Sequence, residues 1–171
     1  MKETNSRSLG SRNRQKGHHA ERFYADVFRE LGYEHCITAR LGGRIFDNAG
    51  IDIINIPFNI QIKAGKQKGL NAGKILFQMY SQINELFPPE HEVKTFPLFV
   101  IHRAKPFSKS HEGDMLYMTR AQFLKYSGYP IEIEYYKKRK ETMSSDFGEI
   151  VGVKFSKYTL QIIFSKNEEI L

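Results

Sequence analysis

Apolar side chains recur every three or four positions in residues 18–31, which is the spacing of an amphipathic helix that buries one face. Gly32 follows directly, in a position where helices commonly end. Residues 72–87 show the same spacing and stop before two consecutive prolines. The pattern therefore predicts two long helices. A capping box formed by Thr119 and Gln122 predicts the start of a shorter third helix.

Other segments carry the patterns of strands, in which side chains alternate between two faces. Residues 51–56 and 59–63 form a pair, and the Pro-Phe step between them indicates a tight hairpin. Residues 41–44 contain adjacent glycines and are predicted to form a loop. The remaining predicted strands are residues 34–40, 96–101, 131–136, 150–155 and 158–164.

This order of elements predicts a mixed α+β fold, with a central mixed β-sheet flanked by helices and extra antiparallel strands towards the C-terminus. A length of 171 residues suits one domain. Residues 1–15 are rich in serine, asparagine and basic side chains, and we expect a flexible basic arm there. We expect no membrane span, because the longest apolar runs are only a few residues. The single cysteine, Cys36, cannot form an intramolecular disulfide.

The net charge of +7 is concentrated in segments of the chain. Residues 1–22 hold six basic and two acidic side chains, and residues 53–84 hold four lysines and no acidic side chain. A third basic cluster occupies residues 137–140 and is expected to be a solvated surface. Basic arms and lysine-rich loops are the usual electrostatic features of proteins that bind nucleic acid.

Three side chains near the predicted hairpin point to a chemistry. Gln61 and Lys63 share one face of a strand because they are two residues apart. Asp52 lies in an apolar run of the preceding strand, where an uncompensated carboxylate is costly. Carboxylate and amide oxygens suit Mg²⁺, and a nearby lysine suits metal-assisted phosphodiester hydrolysis. Glu21, on the first helix, is the best candidate for a further carboxylate, with Asp47 a distant substitute for Asp52.

Glu21, the Gly-Ile-Asp-Ile-Ile segment 50–54 and the Ile-Gln-Ile-Lys segment 60–63 together resemble the PD-(D/E)XK nuclease superfamily. Segment 16–22 is similar to the helix opening of archaeal-type Holliday-junction resolvases. The pairing of Gly-Ile-Asp with Gln-x-Lys is closer to the catalytic domains of Mrr-like restriction endonucleases. The resemblance covers about residues 14–102.

The resemblance implies a restriction-endonuclease-like core, with residues 16–171 as a single nuclease-like domain. It implies Asp52 as the central metal ligand, Glu21 as an accessory ligand and Lys63 as the catalytic lysine. The Ile62 carbonyl would also face the metal, which is Mg²⁺ with Mn²⁺ as its substitute. Gln61 departs from the family pattern, in which a carboxylate is usual, so we expect weaker metal binding.

The function implied is that of a Mg²⁺-dependent DNA endonuclease that acts on branched DNA as a homodimer. The expected location is the cytoplasm, and the expected source is a prokaryote, a virus or a phage. No phosphate-binding glycine-rich motif is present, so no nucleotide cofactor is expected. The alternatives are a restriction-type endonuclease on duplex DNA, a weakly active or inactive nuclease-fold DNA-binding module, and an RNA-processing nuclease. The side chains expected to contact DNA are Arg12, Arg14, Lys16, Arg40, Arg44, Lys66 and Lys68.

Overall fold

The described residues of the protein, in a computed structural model, are 6–66, 70–127, 136–138, 148–154 and 163–164. Seven strands and five helices form this part of the chain, with a 3₁₀ turn at Glu92–Lys94. The helices are α1 (Ser6–Glu30), α2 (Ala39–Gly42), α3 (Arg44–Asn48), α4 (Ala72–Leu86) and α5 (Arg120–Ser127). The strands are β1 (Ile37–Thr38), β2 (Ile53–Ile54), β3 (Asn59–Ala64), β4 (Leu98–Arg103), β5 (Met115–Thr119), β6 (Tyr136–Lys138) and β7 (Ile150–Lys154).

The described strands form one mixed sheet in the order β1-β2-β3-β4-β5-β7-β6. Strands β3 and β4 run parallel, with Lys63 opposite His102, and each other neighbouring pair in the described sheet is antiparallel. Helix α4 connects β3 to β4, as expected for a parallel pair, which needs a crossover connection. The predicted α+β class, with a mixed sheet flanked by helices, is confirmed.

Two hydrophobic cores cover the two faces of the sheet. On one face, Ala20, Tyr24 and Phe28 of α1 belong to a core that includes Ile60 and Ile62 of β3. Burying a large apolar side chain of this kind contributes about 1.5–3 kcal/mol. Residues of α4, α2 and the segment before β2 form the second core, which includes Leu76, Met79, Ile83, Ala39, Ile51 and Val100. The site described below lies where α1, α2 and β3 meet.

A buried ion pair attaches α1 to the connection between β4 and β5. Arg103 and Asp114 are fully buried, and Nη1 of the guanidinium lies 2.8 Å from Oδ2 of the carboxylate. The Tyr24 hydroxyl donates to the same Oδ2 at 2.8 Å, and the Ala104 N–H donates to Oδ1 at 2.8 Å. The guanidinium also lies 3.5 Å from the ring centre of Phe23. These contacts fix the middle of α1 against the sheet.

Residues 6–15 of the predicted arm are helical and form the beginning of α1, while residues 1–5 lie outside the described part. The segment contains no proline, and adding a residue to an existing helix gains one backbone hydrogen bond at little cost. At 1.5 Å per residue, α1 is roughly 37 Å long. Residues 10–15 are all exposed, so the helix continues beyond the part that packs on the sheet.

The segment between α1 and β3 also differs from the prediction. The strands predicted at residues 34–40 and 51–56 shrink to the two-residue strands β1 and β2. Residues 39–42 form α2, and Gly43 is the one residue of the predicted loop 41–44 that lies between α2 and α3. Gly42 explains part of this arrangement. A Cβ atom there would lie 1.9 Å from Cδ1 of Ile54, so α2 sits directly over β2.

The later part of the chain follows the prediction in places. The capping box is confirmed, since the Thr119 N–H donates to Gln122 Oε1 at 3.0 Å and the Gln122 N–H donates to Thr119 Oγ1 at 3.2 Å. The strand predicted at residues 150–155 corresponds to β7, whereas the sequence pattern does not predict β5. Residues 131–135 and 158–162 lie outside the described part, and residues 163–164 are helical rather than extended. No helix in the described ranges has the length and apolar character needed to cross a bilayer.

Candidate functional site

Asp52 is attached to β3 through both its backbone and its side chain. Its N–H donates to the Ile60 carbonyl at 2.8 Å, and its carbonyl accepts from the Ala39 N–H at 2.9 Å. Carboxylate oxygen Oδ2 accepts a hydrogen bond of 2.6 Å from the Ile62 N–H. The other oxygen, Oδ1, accepts no hydrogen bond from the part of the chain that the structure describes. Asp52 therefore presents one carboxyl oxygen without a hydrogen bond from the described residues beside the middle of β3.

The surroundings of Asp52 raise the pKa of its carboxyl group to about 7. Burial is the largest cause, because it disfavours the charged form. The Ile62 N–H and the charge of Lys63 oppose the shift, whereas the negative charges of Glu21 and Asp47 add to it. The structure thus brings Glu21, Asp47 and Lys63 within electrostatic range of Asp52. A cation bound here would relieve the repulsion among the carboxylates.

Gln61 and Lys63 lie on the same face of β3, as predicted, and both are half-buried, whereas the alternate residues Ile60 and Ile62 are buried beneath α1. Gly50 explains how the Gln61 side chain is accommodated. It adopts φ of +76°, and a Cβ atom there would lie 3.0 Å from Gln61 Nε2 and 3.5 Å from Gln82 Oε1. A side chain at position 50 would therefore require the Gln61 amide group to shift by a few tenths of an ångström.

Glu21 reaches the site from α1, but both of its carboxylate oxygens are bound by Arg40. Arg40 Nε donates to Oε2 at 2.7 Å and Nη2 donates to Oε1 at 3.1 Å. The Glu21 side chain is 7% exposed and the Arg40 side chain is 44% exposed. Hydrogen bonding to Glu21 raises the pKa of Arg40, so the guanidinium remains charged. In this arrangement Glu21 lies within electrostatic range of Asp52 and forms an ion pair with Arg40.

His102, Gly65 and Gln82 lie at the site and were missed in the sequence. His102 is the neighbour of Lys63 across the parallel pair, and its Nε2 lies 2.7 Å from the Gly65 carbonyl. A carbonyl oxygen only accepts, so Nε2 of His102 carries the proton. Only the pairing of β3 with β4 places His102 next to Lys63, and nothing in the spacing of the chain indicates that pairing.

The basic residues expected to contact DNA lie around this site to different extents. Lys16 is half-buried, and its Cδ lies 3.9 Å from the position of a Cβ atom on Gly65, at the end of β3. Lys66 is exposed one residue further along the chain, and Lys68 lies outside the described residues. Arg44 is exposed at the start of α3. Arg12 and Arg14 are exposed on the projecting part of α1, which precedes Glu21 on the same helix.

The described residues supply two oxygen donors that suit a hard cation, which is less than a full set of protein ligands. Asp52 Oδ1 and the Gln61 amide oxygen are oxygen donors of the kind that Mg²⁺ prefers. Among the described residues, no three His, Cys, Asp or Glu side chains are arranged to hold a metal ion. Glu21 would become a ligand only if Arg40 released it. A metal at this site would therefore rely on Asp52 for charge and on water or substrate oxygens for the remaining positions.

Comparisons of the chain with models of protein families, with curated proteins and with solved structures find no match.

Proposed function

We propose that this chain is a divalent-metal-dependent endonuclease of the PD-(D/E)XK type that hydrolyses DNA phosphodiester bonds, with branched DNA as its preferred substrate. The observation that carries the proposal is the hydrogen bond of 2.6 Å between Asp52 Oδ2 and the Ile62 N–H. This bond fixes the carboxylate against β3, where Gln61 and Lys63 share a face. The motif seen in the sequence thus corresponds to one local arrangement in space.

In the proposed reaction, Asp52 and the Gln61 amide oxygen would hold the metal, with the Ile62 carbonyl as a further donor. Bound Mg²⁺ would acidify water and neutralise charge on the phosphate. Lys63 orients the attacking water and stabilises the negative charge that develops on the phosphate oxygens. The carboxylate of Asp52 needs only one hydrogen bond from Ile62 to stay in place, so its second oxygen remains free for the cation.

The surrounding positive charge supports a nucleic-acid substrate. Lys66 is exposed immediately after β3, Arg44 is exposed on α3, and Arg12 and Arg14 extend the positive charge along α1. Lysine and arginine contacts to phosphates release bound counterions, so binding should weaken as salt rises. Cleaving both strands of a junction requires two sites, which favours a symmetric dimer.

The test is a cleavage assay with labelled four-way junction, linear duplex of the same sequence, and RNA, each with Mg²⁺, with Mn²⁺ or with a chelator. The proposal predicts metal-dependent cleavage of the junction that falls steeply in Lys63→Ala and is unchanged in Lys125→Gln, a charge change on the exposed face of α5. Faster cleavage of linear duplex would instead favour a restriction-type enzyme. Lack of cleavage of every DNA substrate would contradict the proposal.

A nuclease-fold module that binds DNA without cleaving it is the second candidate. The observation that favours it is that Gln61 brings no charge while both oxygens of Glu21 are bound by Arg40. In this case the protein would bind the junction, and the binding would weaken as salt rises. Substitution of Asp52 would not change Mn²⁺ binding. Calorimetric titration of Mn²⁺ into the protein–DNA complex separates the two candidates.

A further inference from the structure

In the observed arrangement, the ion pair between Arg40 and Glu21 opposes the use of Glu21 as a metal ligand. Two hydrogen bonds, of 2.7 Å and 3.1 Å, occupy both carboxylate oxygens. A cation that used Glu21 as a ligand would have to displace the guanidinium or lie directly beside it. Two positive charges competing for one carboxylate repel each other, so Arg40 as observed opposes metal binding at Glu21.

Arg40 is placed where it can change partners. Its side chain is 44% exposed, although that of Glu21 is 7% exposed. Nη1 of Arg40 donates no hydrogen bond within the described part of the chain, so this end of the guanidinium is available to a ligand. Arginine binds phosphate with the same two-pronged geometry that it uses for a carboxylate. An arriving DNA phosphate could therefore replace Glu21 as the partner of Arg40.

We propose that Arg40 is a substrate-operated latch on Glu21: it holds the carboxylate in the free protein, and a DNA phosphate binds Arg40 in its place and leaves Glu21 available to the metal. This inference rests on the proposed function, since it concerns the same metal and the same substrate. Arg40 acts through Glu21 and is a positioning residue rather than a group that touches the reacting atoms.

The latch couples metal binding to DNA binding. Because the phosphate removes a cation from Glu21, the DNA-bound protein should bind the metal more tightly than the free protein does. Linkage requires the reverse as well, so the metal should tighten DNA binding by the same factor. The consequence for the enzyme is that a complete metal site forms only on the substrate, which limits hydrolysis of other phosphodiesters.

The test measures Mn²⁺ binding rather than activity. Mn²⁺ is titrated calorimetrically into the wild-type protein, Arg40→Gln, Arg40→Lys and Lys125→Gln, each alone and with a phosphorothioate DNA duplex that resists hydrolysis. The latch predicts that Arg40→Gln lowers the Mn²⁺ Kd of the free protein by about 5- to 150-fold, the usual range for coupled sites. The duplex should produce a similar change in the wild-type protein and little change in Arg40→Gln. Lys125→Gln, which removes one charge elsewhere, should behave as wild type.

Arg40→Lys keeps the positive charge but cannot bind both oxygens, so it should bind Mn²⁺ more tightly than wild type and less tightly than Arg40→Gln. If Arg40→Gln does not fold, the Mn²⁺ affinity of Arg40→Lys alone tests the latch. Mn²⁺ affinity that is unchanged or weaker in the folded Arg40 variants would overturn the latch and leave the nuclease proposal intact. Absence of Mn²⁺ binding that depends on Asp52, even with DNA present, would overturn both.

Discussion

Asp52 and Ile62 are joined by a hydrogen bond of 2.6 Å from a strand N–H to a carboxylate oxygen. This bond places an acidic group at the boundary between a short strand and the second strand of a hairpin, beside Gln61 and Lys63. It satisfies one oxygen and leaves the other exposed to whatever the site binds. Asp52 is a half-buried carboxyl group with one oxygen that accepts no hydrogen bond from the described residues, and a bound cation would oppose the rise of its pKa to about 7 by favouring the charged form.

The raised pKa of Asp52 predicts how stability varies with pH in the absence of metal. The folded protein holds a proton on Asp52 up to about pH 7, whereas the unfolded chain releases it near pH 4. The folded state therefore binds more protons in this window, and the free energy of unfolding should fall as pH rises from 4 to 7.

Asp52→Asn should remove this pH dependence and make the metal-free protein more stable than wild type at pH 8, by on the order of 1–4 kcal/mol. At pH 4 the two proteins should differ little. Urea unfolding in a chelator at both pH values measures the difference. If Asp52→Asn were less stable than wild type at pH 8, the carboxylate would not be destabilised by burial.

Gly50→Ala should reduce both stability and activity, because the position has φ of +76° and a Cβ atom would lie 3.0 Å from Gln61 Nε2. The backbone strain should cost about 1–2 kcal/mol. Displacing Gln61 should lower the cleavage rate by about 10- to 100-fold. Gly32→Ala is the matched control, since it has φ of +100° with nothing within 4 Å of the added Cβ. It should lose stability and keep its cleavage rate; equal rates in the two variants would contradict the role of Gly50.

Much of the fold could be predicted from the sequence because it depends on local patterns. The spacing of apolar residues placed α4 to within one residue, and the capping box of Thr119 and Gln122 marked the start of α5. Glu21, Asp52 and Lys63 could be selected because their order along the chain resembles a known family. The structure places Glu21 and Lys63 within electrostatic range of Asp52.

The features that could not be predicted depend on contacts between distant residues. The Glu21–Arg40 ion pair depends on how α2 packs beside α1, and the sequence pattern predicts the end of a strand and a loop where α2 forms. His102 lies next to Lys63 only because β3 and β4 are parallel. The helical state of residues 6–15 depends on continuation from the packed part of α1, which composition alone does not indicate.

Gln61→Glu should strengthen metal binding, because it adds a negative charge beside Asp52. One unit charge at about 4 Å is worth about 1 kcal/mol even in bulk water, so the Mn²⁺ Kd should fall at least about fivefold. Asn84→Asp, on the exposed face of α4, adds the same charge outside the site and should leave the affinity unchanged. Calorimetry on the three proteins provides the measurement. An unchanged Kd in Gln61→Glu would show that position 61 does not face the metal.

Asp114→Asn should destabilise the protein by about 3–5 kcal/mol, since it leaves the buried Arg103 charge without its partner. Burial raises the pKa of Asp114, but the nearby His111 ring, hydrogen bonds from Tyr24 and Ala104, and the charge of Arg103 outweigh it and lower the pKa. In the wild-type protein, the contribution of Asp114 to the free energy of unfolding should therefore be lost as pH falls through the lowered pKa of this group. Glu112→Gln breaks the exposed pair with Lys105 and should have no measurable effect. Urea unfolding of both variants tests the contrast, and similar stabilities would contradict it.

The measurement that tests the central claim most directly is the single-turnover rate at which Asp52→Asn cleaves a labelled four-way junction in Mg²⁺, compared with wild type. Loss of the charged metal ligand should reduce the rate by at least about 10²- to 10³-fold while junction binding in a chelator is retained. Metal-dependent cleavage by wild type together with this loss is the predicted result. A cleavage rate in Asp52→Asn equal to that of wild type would contradict the claim that the hydrolytic site is built on Asp52.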